Sequence, residues 1–364
     1  MSSLRCNDQP TTAGADTPAV THQASWPEVP GIPGLRLRAY RGTEDLPGIN
    51  AVNAAASRAA GSKETHSLGD TEALYRNLTN CDLDRDLFVA AIGGTIVGYA
   101  RCWWADRSEG GRGFAAVDFV DPAHALRGLE EALSDLAERR QLALARAMAG
   151  ELAGRPAFLV RYARGTDSPA IARLETAGFT LARRWAEMIR PDFEAIPNIP
   201  VPDDFELRRG DTADPMLLRR VFDLGAEVFS DHYGESVPTE ADFRAFAESP
   251  QTDPALFCLA FDLATGEMAG HILNYLGLPE PDGSVTGWTE SIAVRAPYRR
   301  RGLASAMLAA SLRIVRDAGA TRAALGVDQS NPNEALTLYE RLGFRVTLED
   351  LEFHRKIAIG EVRS

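Results

Sequence analysis

The chain has 364 residues, of which 45% are hydrophobic and 25% are charged, and its formal net charge is −12. A chain of that length is too long for one ordinary hydrophobic core and suits two domains. So acidic a chain also lacks the basic face that binds a nucleic-acid backbone. No apolar run reaches the length that crosses a bilayer, so we expect neither nucleic acid nor a membrane as partner.

The first 33 residues are rich in Thr, Ala, Pro and Ser. They lack the basic start and the apolar core of a secretory signal, so the sequence predicts a disordered tail over 1–33 and a cytoplasmic protein. Four cysteines and six histidines are scattered along the chain without the spacing of metal ligands. We therefore expect no metal.

Hydrophobic periodicity predicts strands and one long helix in the first half of the chain. In chain order the predicted strands are Leu35–Arg38, Leu87–Ile92, Ile96–Trp104, Phe114–Val120 and Phe158–Tyr162. The helix is predicted over His124–Met148, between the last two of these strands.

The second half repeats that order, from a strand at Phe205–Arg208 onwards. Helices are predicted at Met216–Phe229, Glu240–Glu248, Leu303–Ala318 and Pro332–Leu342. Strands are predicted at Ala255–Phe261, Met268–Leu276, Thr286–Val294, Ala323–Val327, Phe344–Val346 and Leu351–Arg355.

Each half also ends with a helix followed by a Gly-Phe pair, Gly178-Phe179 in the first half and Gly343-Phe344 in the second. A repeat that spans half of the chain indicates two copies of one α/β unit. The predicted fold is α/β, with two tandem domains, each a mixed central sheet flanked by helices. The predicted boundaries are a domain at 34–195, a Pro-rich linker at 196–203 and a second domain at 204–364.

The turn before the helix at Leu303 contains the pattern Arg299-x-x-Gly302-x-Ala304. A glycine there lets a ligand come close to the backbone because it has no Cβ. The first amides of the helix are free donors at the positive end of its dipole, an arrangement that binds phosphates. Four arginines lie in or beside this turn: Arg295, Arg299, Arg300 and Arg301. The pattern predicts a pyrophosphate site, and together with Tyr339 and Gly343-Phe344 further on it points to an acyl-coenzyme A transferase.

Together with the later stretch from Tyr339 to Phe344, this turn resembles the GCN5-related N-acetyltransferase family. The resemblance covers 205–358 and rests on two separated motifs in the right order. It implies acetyl-CoA as donor, direct transfer to an amine, and two splayed central strands, here Trp288–Val294 and Ala323–Val327, that receive the pantetheine arm. The tandem layout also resembles the two-lobed members of the family, such as mycothiol synthases.

The resemblance also assigns donor contacts residue by residue. The pyrophosphate is expected at the backbone of Arg299, Arg300, Arg301, Gly302, Leu303 and Ala304. Pantetheine and the acetyl carbonyl are expected at the main chain of Ile292, Ala293 and Val294. Asn331 is a further candidate, although Asn331-Pro332 with Glu334 also forms a helix-capping pattern, and both roles could hold.

Tyr339 is the predicted general acid. Its phenol, with an ordinary pKa of about 10, is close enough to a thiol at about 8.5 to protonate the departing sulfur. The alternative is an aromatic side chain that only packs on the sheet.

Glu290 is the candidate general base, because a carboxylate on an apolar central strand is costly to bury unless it is paired or functional. By two-residue alternation it shares a face with Ile292 and Val294. An ion pair near the start of the strand is an equal alternative.

His232 and Tyr233 lie in the loop where this family shapes its acceptor site, so they are candidate substrate contacts, with ordinary surface positions as the alternative. The first copy lacks the motif, since its turn contains Asp121 and no Arg-x-x-Gly-x-Ala, and Leu174 or Thr176 stands where the second copy has Tyr339. We therefore expect the first domain to be structural or to line the acceptor groove.

The leading hypothesis is acetyl transfer from acetyl-CoA to a primary amine of a small molecule or peptide, by a monomer or homodimer. Two alternatives remain open at this point. One is mycothiol-synthase-like acetylation of a cysteinyl pseudo-disaccharide, and the other is a regulatory protein that binds acyl-CoA without turnover.

Overall fold

A computed structural model of the chain describes residues 26–29, 31–107, 110–229, 238–329 and 335–357. Within those residues, twelve strands form one continuous mixed sheet in the order β1-β2-β3-β4-β5-β12-β6-β11-β10-β9-β8-β7. We call β1–β5 with α1–α5 the first lobe, and β7–β11 with α6–α9 the second lobe. The predicted α/β class and tandem layout are confirmed.

The first half contributes six strands and five helices. The strands are β1 (Leu35–Ala39), β2 (Leu87–Ile92), β3 (Thr95–Asp106), β4 (Arg112–Val120), β5 (Ala157–Arg164) and β6 (Thr180–Arg190). The helices are α1 (Leu46–Ala59), α2 (Leu68–Arg76), α3 (Leu83–Asp86), α4 (Leu129–Ala147) and α5 (Ser168–Thr176).

The second half contributes six strands and four helices. The strands are β7 (Phe205–Arg209), β8 (Cys258–Asp262), β9 (Met268–Leu276), β10 (Thr286–Val294), β11 (Arg322–Asp328) and β12 (Arg345–Lys356). The helices are α6 (Leu217–Phe229), α7 (Glu240–Glu248), α8 (Leu303–Asp317) and α9 (Ala335–Arg341).

Three predicted elements need correction. The helix predicted over His124–Met148 begins only at Leu129, because a 3-10 turn at Pro122–His124 and a left-handed Gly128 come first. The strand predicted from Ala255 begins at Cys258, after a second 3-10 turn. The two predicted closing strands are one bulged strand, β12.

The two halves exchange their last strands. β6, from the first half, pairs with β11 of the second lobe, and β12, from the second half, pairs with β5 of the first lobe. β6 and β12 also pair with each other, so they form the seam of the sheet. Each lobe therefore needs a strand from the other half of the sequence to continue its sheet.

Helices α4 and α8 cover equivalent strands in the two lobes. On α8, Leu303, Met307 and Ile314 are buried in the core of the second lobe. On α4, Leu129 and Leu133 are buried in the core of the first lobe. Along the chain α4 follows β4 and α8 follows β10. The packing of each helix on its sheet therefore fixes the turn that joins strand and helix.

Part of the N-terminal segment packs on the first lobe. Within the segment predicted as a tail, Ile32 is buried in the core of that lobe, and the ring of Trp26 lies edge-on to Phe88 with 6.0 Å between centroids. A Cβ on Gly31 would lie 2.7 Å from the carbonyl oxygen of Arg127, so this segment rests directly on the turn before α4.

Candidate active site

A cavity of about 1170 Å³ lies between the two lobes and is lined by both of them. The second lobe contributes the turn before α8, part of β10 and Tyr339 of α9. The first lobe contributes side chains from α1, α2, β3 and β5, and β6 adds Glu187. Most of the residues proposed from the sequence for donor binding and for chemistry therefore face one space, whereas Ala293 is fully buried and Arg301 does not line the cavity.

The turn before α8 has the backbone of an anion site. Arg300 has a φ of 64° and Gly302 a φ of 82°, both in the left-handed region that favours glycine. Gly302 is the N-cap of α8, and Ala306 donates the first intrahelical hydrogen bond, to the Gly302 carbonyl. The amides of Leu303 and Ala304 thus belong to the first turn, whose donors have no partner within the helix.

The arginine side chains of this turn do not form the open basic patch that the sequence suggests. Arg299 donates to the carbonyl oxygens of Val294 at 2.9 Å and of Val228 at 3.4 Å, which ties the turn to β10 and α6. Arg295 forms an ion pair with Glu227, and Arg301 forms one with Asp204. Within the described part of the chain, Arg299 and Arg300 form no ion pair with a carboxylate.

The two central strands of the second lobe separate beside this turn. β10 and β11 pair in parallel from Thr286–Arg322 to Trp288–Ala324, and beyond that point β11 pairs only with β6 on its other side. Beyond that point the facing main-chain groups of β10 and β11 do not pair, so a gap lies between the two strands. The splay that the family resemblance implied is present, and it begins at Trp288.

A β-bulge interrupts β10 within the cavity wall. Glu290 pairs with Leu273, and the next pair is Ala293 with His271. Two-residue alternation therefore does not run from Glu290 to Ile292 and Val294, so the argument that put all three on one face was wrong. All three nevertheless line the cavity, because the bulge turns the strand within its wall.

Carboxylates surround Tyr275 at the β10 side of the cavity. Burial raises the pKa of Tyr275 well above its ordinary value, and the charge of Glu290 adds to the shift, followed by three more carboxylates of the lining: Glu64, Glu187 and Asp70. The ring of Tyr275 stacks on Trp288 at 6.0 Å between centroids. Glu290 thus shares this part of the lining with three other carboxylates, whose charges oppose ionisation of Tyr275.

Tyr339 lies on α9 beside this region and is 7% exposed. Its ring packs edge-on against Phe344 at 6.4 Å. Burial raises the pKa of Tyr339 to about 12. The phenol therefore stays protonated throughout the neutral range, as a proton donor must, but it is a weaker acid than the ordinary value assumed from the sequence.

Several functional contacts escaped the sequence argument. The segment between α1 and α2 reaches across the cavity, where Ser62 Oγ donates to Glu187 at 2.7 Å and the Lys63 amide donates to the same carboxylate at 3.0 Å. Asp70 accepts from Ser249 Oγ at 2.8 Å. In the sequence this segment is marked only by its polar residues, and they do not indicate what it contacts. His232, Tyr233 and Asn331 lie outside the described residues.

The first lobe repeats the turn but blocks it. Leu126 has a φ of 59° and Gly128 a φ of 87°, which match Arg300 and Gly302 of the second lobe. Gly128 is likewise the N-cap of its helix. The position that corresponds to Ala304 is Glu130, and its Oε1 accepts a hydrogen bond from the Leu126 amide at 2.8 Å. A carboxylate of the protein itself thus occupies the anion position.

The splayed strands of the first lobe are bridged as well. β4 and β5 pair only as far as Ala115–Val160. Just beyond, buried Arg161 on β5 reaches Asp118 on β4 at 2.6 Å. Gln141 of α4 donates to the carbonyl oxygens of Phe114 and Val160 at the same place. Side chains thus fill the gap between β4 and β5.

The described residues hold no group of three or more His, Cys, Asp or Glu side chains arranged to bind a metal ion. In the same part of the chain, no helix has both the length and the apolar character needed to cross a membrane.

Comparison with known proteins agrees with this geometry. A sequence model described as the acetyltransferase (GNAT) family matches residues 220–344, which include the turn, the splayed strands and Tyr339. A mycothiol acetyltransferase from Salinispora arenicola is 36% identical over 238 residues, which are 64% of this chain and 74% of that relative.

Two solved structures share the fold. A GCN5-related N-acetyltransferase from Sphaerobacter thermophilus has a TM-score of 0.63 and 23% identity, covering 89% of this chain and 96% of its own. A tandem GNAT protein from the clavulanic acid biosynthesis pathway has a TM-score of 0.59 and 15% identity, covering 88% and 98%.

Proposed function

This chain belongs to the GNAT family and is an acyl-CoA-dependent acetyltransferase, and we propose that its second lobe transfers the acetyl group of acetyl-CoA directly to a primary amine. One observation carries the assignment to the second lobe. Its turn at Arg299–Ala304 is open and adjoins a gap between β10 and β11, whereas a carboxylate and an ion pair occupy the same two places in the first lobe.

In this proposal the backbone of residues 299–304 binds the pyrophosphate of acetyl-CoA. The left-handed Gly302 and the helix dipole of α8 favour an anion there. The pantetheine arm enters the gap beyond Trp288, next to the main chain of residues 292–294. Arg299 acts by holding the turn in shape, through the carbonyl oxygens of Val294 and Val228.

Glu290 removes the proton from the ammonium group of the acceptor, so that the amine lone pair can attack the acetyl carbonyl. The surrounding carboxylates attract the ammonium ion before that step. The attack forms a carbon–nitrogen bond and a tetrahedral intermediate. Its collapse breaks the carbon–sulfur bond and expels the thiolate of coenzyme A, while the nitrogen loses its second proton to solvent.

Tyr339 donates a hydrogen bond to the sulfur of that thiolate, which takes its proton from solvent. Because burial raises the pKa of Tyr339 to about 12 and a thiol has a pKa of about 8.5, full transfer from the resting phenol is uphill. The phenol therefore acts mainly as a hydrogen-bond donor to the sulfur while charge develops on it. The first lobe lines the acceptor groove through residues 62–70.

The acceptor is a primary amine of a small molecule or peptide. A second candidate within the same chemistry is a cysteinyl pseudo-disaccharide of the mycothiol type, which the 36% identity to a mycothiol acetyltransferase favours. The regulatory alternative is set aside, since the chain is an enzyme.

Calorimetric titration of the full chain with acetyl-CoA tests the assignment of the lobes. We expect one site per chain, and loss of that site in Gly302→Glu, where a side chain must adopt a left-handed φ and adds negative charge. Two sites would contradict a blocked first lobe. Unchanged affinity of Gly302→Glu would contradict the turn as the pyrophosphate site. Amine and cysteinyl acceptors are then compared by coenzyme A release.

A further inference from the structure

The bulge in β10 is unusual in its backbone. Ser291 and Ile292 together face the single residue Ile272 of β9. Ser291 has a φ of 47°, in the left-handed region that residues with a side chain rarely adopt. A strained residue in a cavity wall persists only where neighbouring groups hold it.

His271 is the neighbour that contacts it. His271 lies on β9, opposite Ala293, and is fully buried. Its Nε2 is 2.9 Å from Ser291 Oγ, a hydrogen bond in which either group can be the donor, depending on the tautomer. Helix α6 covers the pair with Gly225, where a Cβ would come within 3.6 Å of the His271 ring and 3.7 Å of Ser291 Oγ.

The first lobe offers an internal control. There the corresponding strands, β3 and β4, pair without interruption from Gly98–Val120 to Asp106–Arg112. The residue in the place of His271 is Tyr99, paired with Phe119. Bulge and histidine therefore occur together, and in the lobe whose turn is open.

We infer that His271 is a positioning residue, which fixes the left-handed conformation of Ser291 and thereby sets the geometry between Glu290 and the main chain of residues 292–294. This inference rests on the proposed function, in which Glu290 is the base and residues 292–294 orient the acetyl carbonyl. Glu290 lies immediately before Ser291 and the donor contacts lie immediately after it. A change at Ser291 moves these two groups relative to each other.

A positioning role for His271 predicts how two substitutions combine. If His271 acts only by holding Ser291 in the left-handed region, it becomes dispensable once residue 291 adopts that region unaided. Glycine does so readily. The double variant Ser291→Gly/His271→Leu must then resemble Ser291→Gly alone. A histidine that serves only to fill the core, or that transfers protons itself, would give losses that combine.

The test uses acetyl-CoA labelled with ¹³C at the carbonyl carbon, so no acceptor is needed. Infrared difference spectra of the full chain report the carbonyl stretch of the bound thioester, and calorimetry reports its affinity. In the wild type we expect the stretch to be shifted from that of free acetyl-CoA, and an unshifted stretch would overturn the positioning role. His271→Leu is expected to lose this shift while the dissociation constant stays near the wild-type value, because the pyrophosphate site is intact. His271→Gln retains the shift, since its amide can still bond to Ser291.

Each outcome bears on one claim. A wild-type chain that binds no acetyl-CoA overturns the proposed function. If the wild type binds and His271→Leu keeps the full carbonyl shift, the positioning role is wrong while the proposed function stands. The role is also wrong if the double variant loses a shift that Ser291→Gly alone retains. If His271→Leu fails to fold, the comparison of His271→Gln with Ser291→Ala, which removes the hydroxyl, decides the question.

Discussion

The turns that precede α4 and α8 follow the same backbone course, with left-handed residues at 126 and 128 in one and at 300 and 302 in the other. They differ in what lies against the backbone of the turn. In the first lobe Glu130 accepts from the amide of Leu126, whereas the second lobe has Ala304 there and no acidic residue in the first turn of α8. One side chain thus separates a turn that is closed by the protein's own carboxylate from a turn that is open.

This difference shows that backbone shape alone does not define the site. The same principle governs both turns, because the unpaired amides in and after such a turn require an acceptor. A carboxylate of the chain satisfies that need permanently and stabilises the fold. Where Ala304 provides only a methyl group, the amides still need an acceptor, and a ligand can supply it. The comparison can be tested by exchanging these features between the lobes.

The largest effect is expected when the second lobe is given a carboxylate at the position where the first lobe has Glu130. In Ala304→Glu the carboxylate can reach the amide of Arg300 and repel the pyrophosphate, and an uncompensated charge of this kind costs about 3 kcal/mol or more, so the affinity for acetyl-CoA should fall more than about 100-fold. Calorimetry measures the loss. Ala304→Gln, of similar size but neutral, is the control and should lose much less. Equal losses would mean that bulk, and not charge, excludes the donor.

Tyr339→Phe is expected to lower turnover by about 100-fold, because it removes the hydrogen-bond donor to sulfur. Affinity for acetyl-CoA should be unchanged, as the ring still packs against Phe344. Its counterpart is Leu174, since the amides of Phe179 and Phe344 bond to the carbonyls of Leu174 and Tyr339, respectively. Leu174→Met conserves volume and should leave turnover unchanged. Coenzyme A release measures both, and full activity of Tyr339→Phe would exclude this role.

Glu290→Gln is expected to lower turnover by roughly 10- to 100-fold near neutral pH. The loss should shrink as the pH rises towards the pKa of the acceptor amine, because the solvent then removes the proton that Glu290 would take. Turnover of variant and wild type over a pH series measures this. A constant ratio at all pH values would leave Glu290 with an electrostatic role only.

The smallest effect is expected from opening the first lobe. Glu130→Ala removes the acceptor of the Leu126 amide and should destabilise the protein by about 1 kcal/mol, as measured by denaturant unfolding. Binding should remain at one acetyl-CoA per chain, because Arg161 and Asp118 still bridge the strands. Glu131→Ala, at the next residue of the same helix, is the control. A second site in Glu130→Ala would mean that the carboxylate is the only block.

The sequence predicted the local features of the second lobe well. The strand Met268–Leu276 and the helix Glu240–Glu248 match their predicted bounds, because each has a clear apolar period and ends at turn residues. The start of α4 was misplaced, since the 3-10 turn at Pro122–His124 satisfies the same local preferences as a helix start.

Features that depend on distant residues were not predictable. The left-handed Ser291 depends on His271 of the adjacent strand, and nothing in the sequence around Ser291 indicates it. The pairing of Glu187 with Ser62 joins residues far apart in the chain. The sequence of the turn at 121–129 does not match the motif, because the motif specifies the side chains of an open site. It does not specify the backbone course that both turns share.

The exchange of β6 and β12 has a consequence for synthesis on the ribosome. β12, at residues 345–356, lies between β5 and β6 in the middle of the sheet. While the chain is being made, an emerged first lobe therefore presents β5 as an open edge, and such edges pair with other chains. We expect the nascent chain to need protection at that edge until residue 356 has left the exit tunnel, and the two lobes to be completed together.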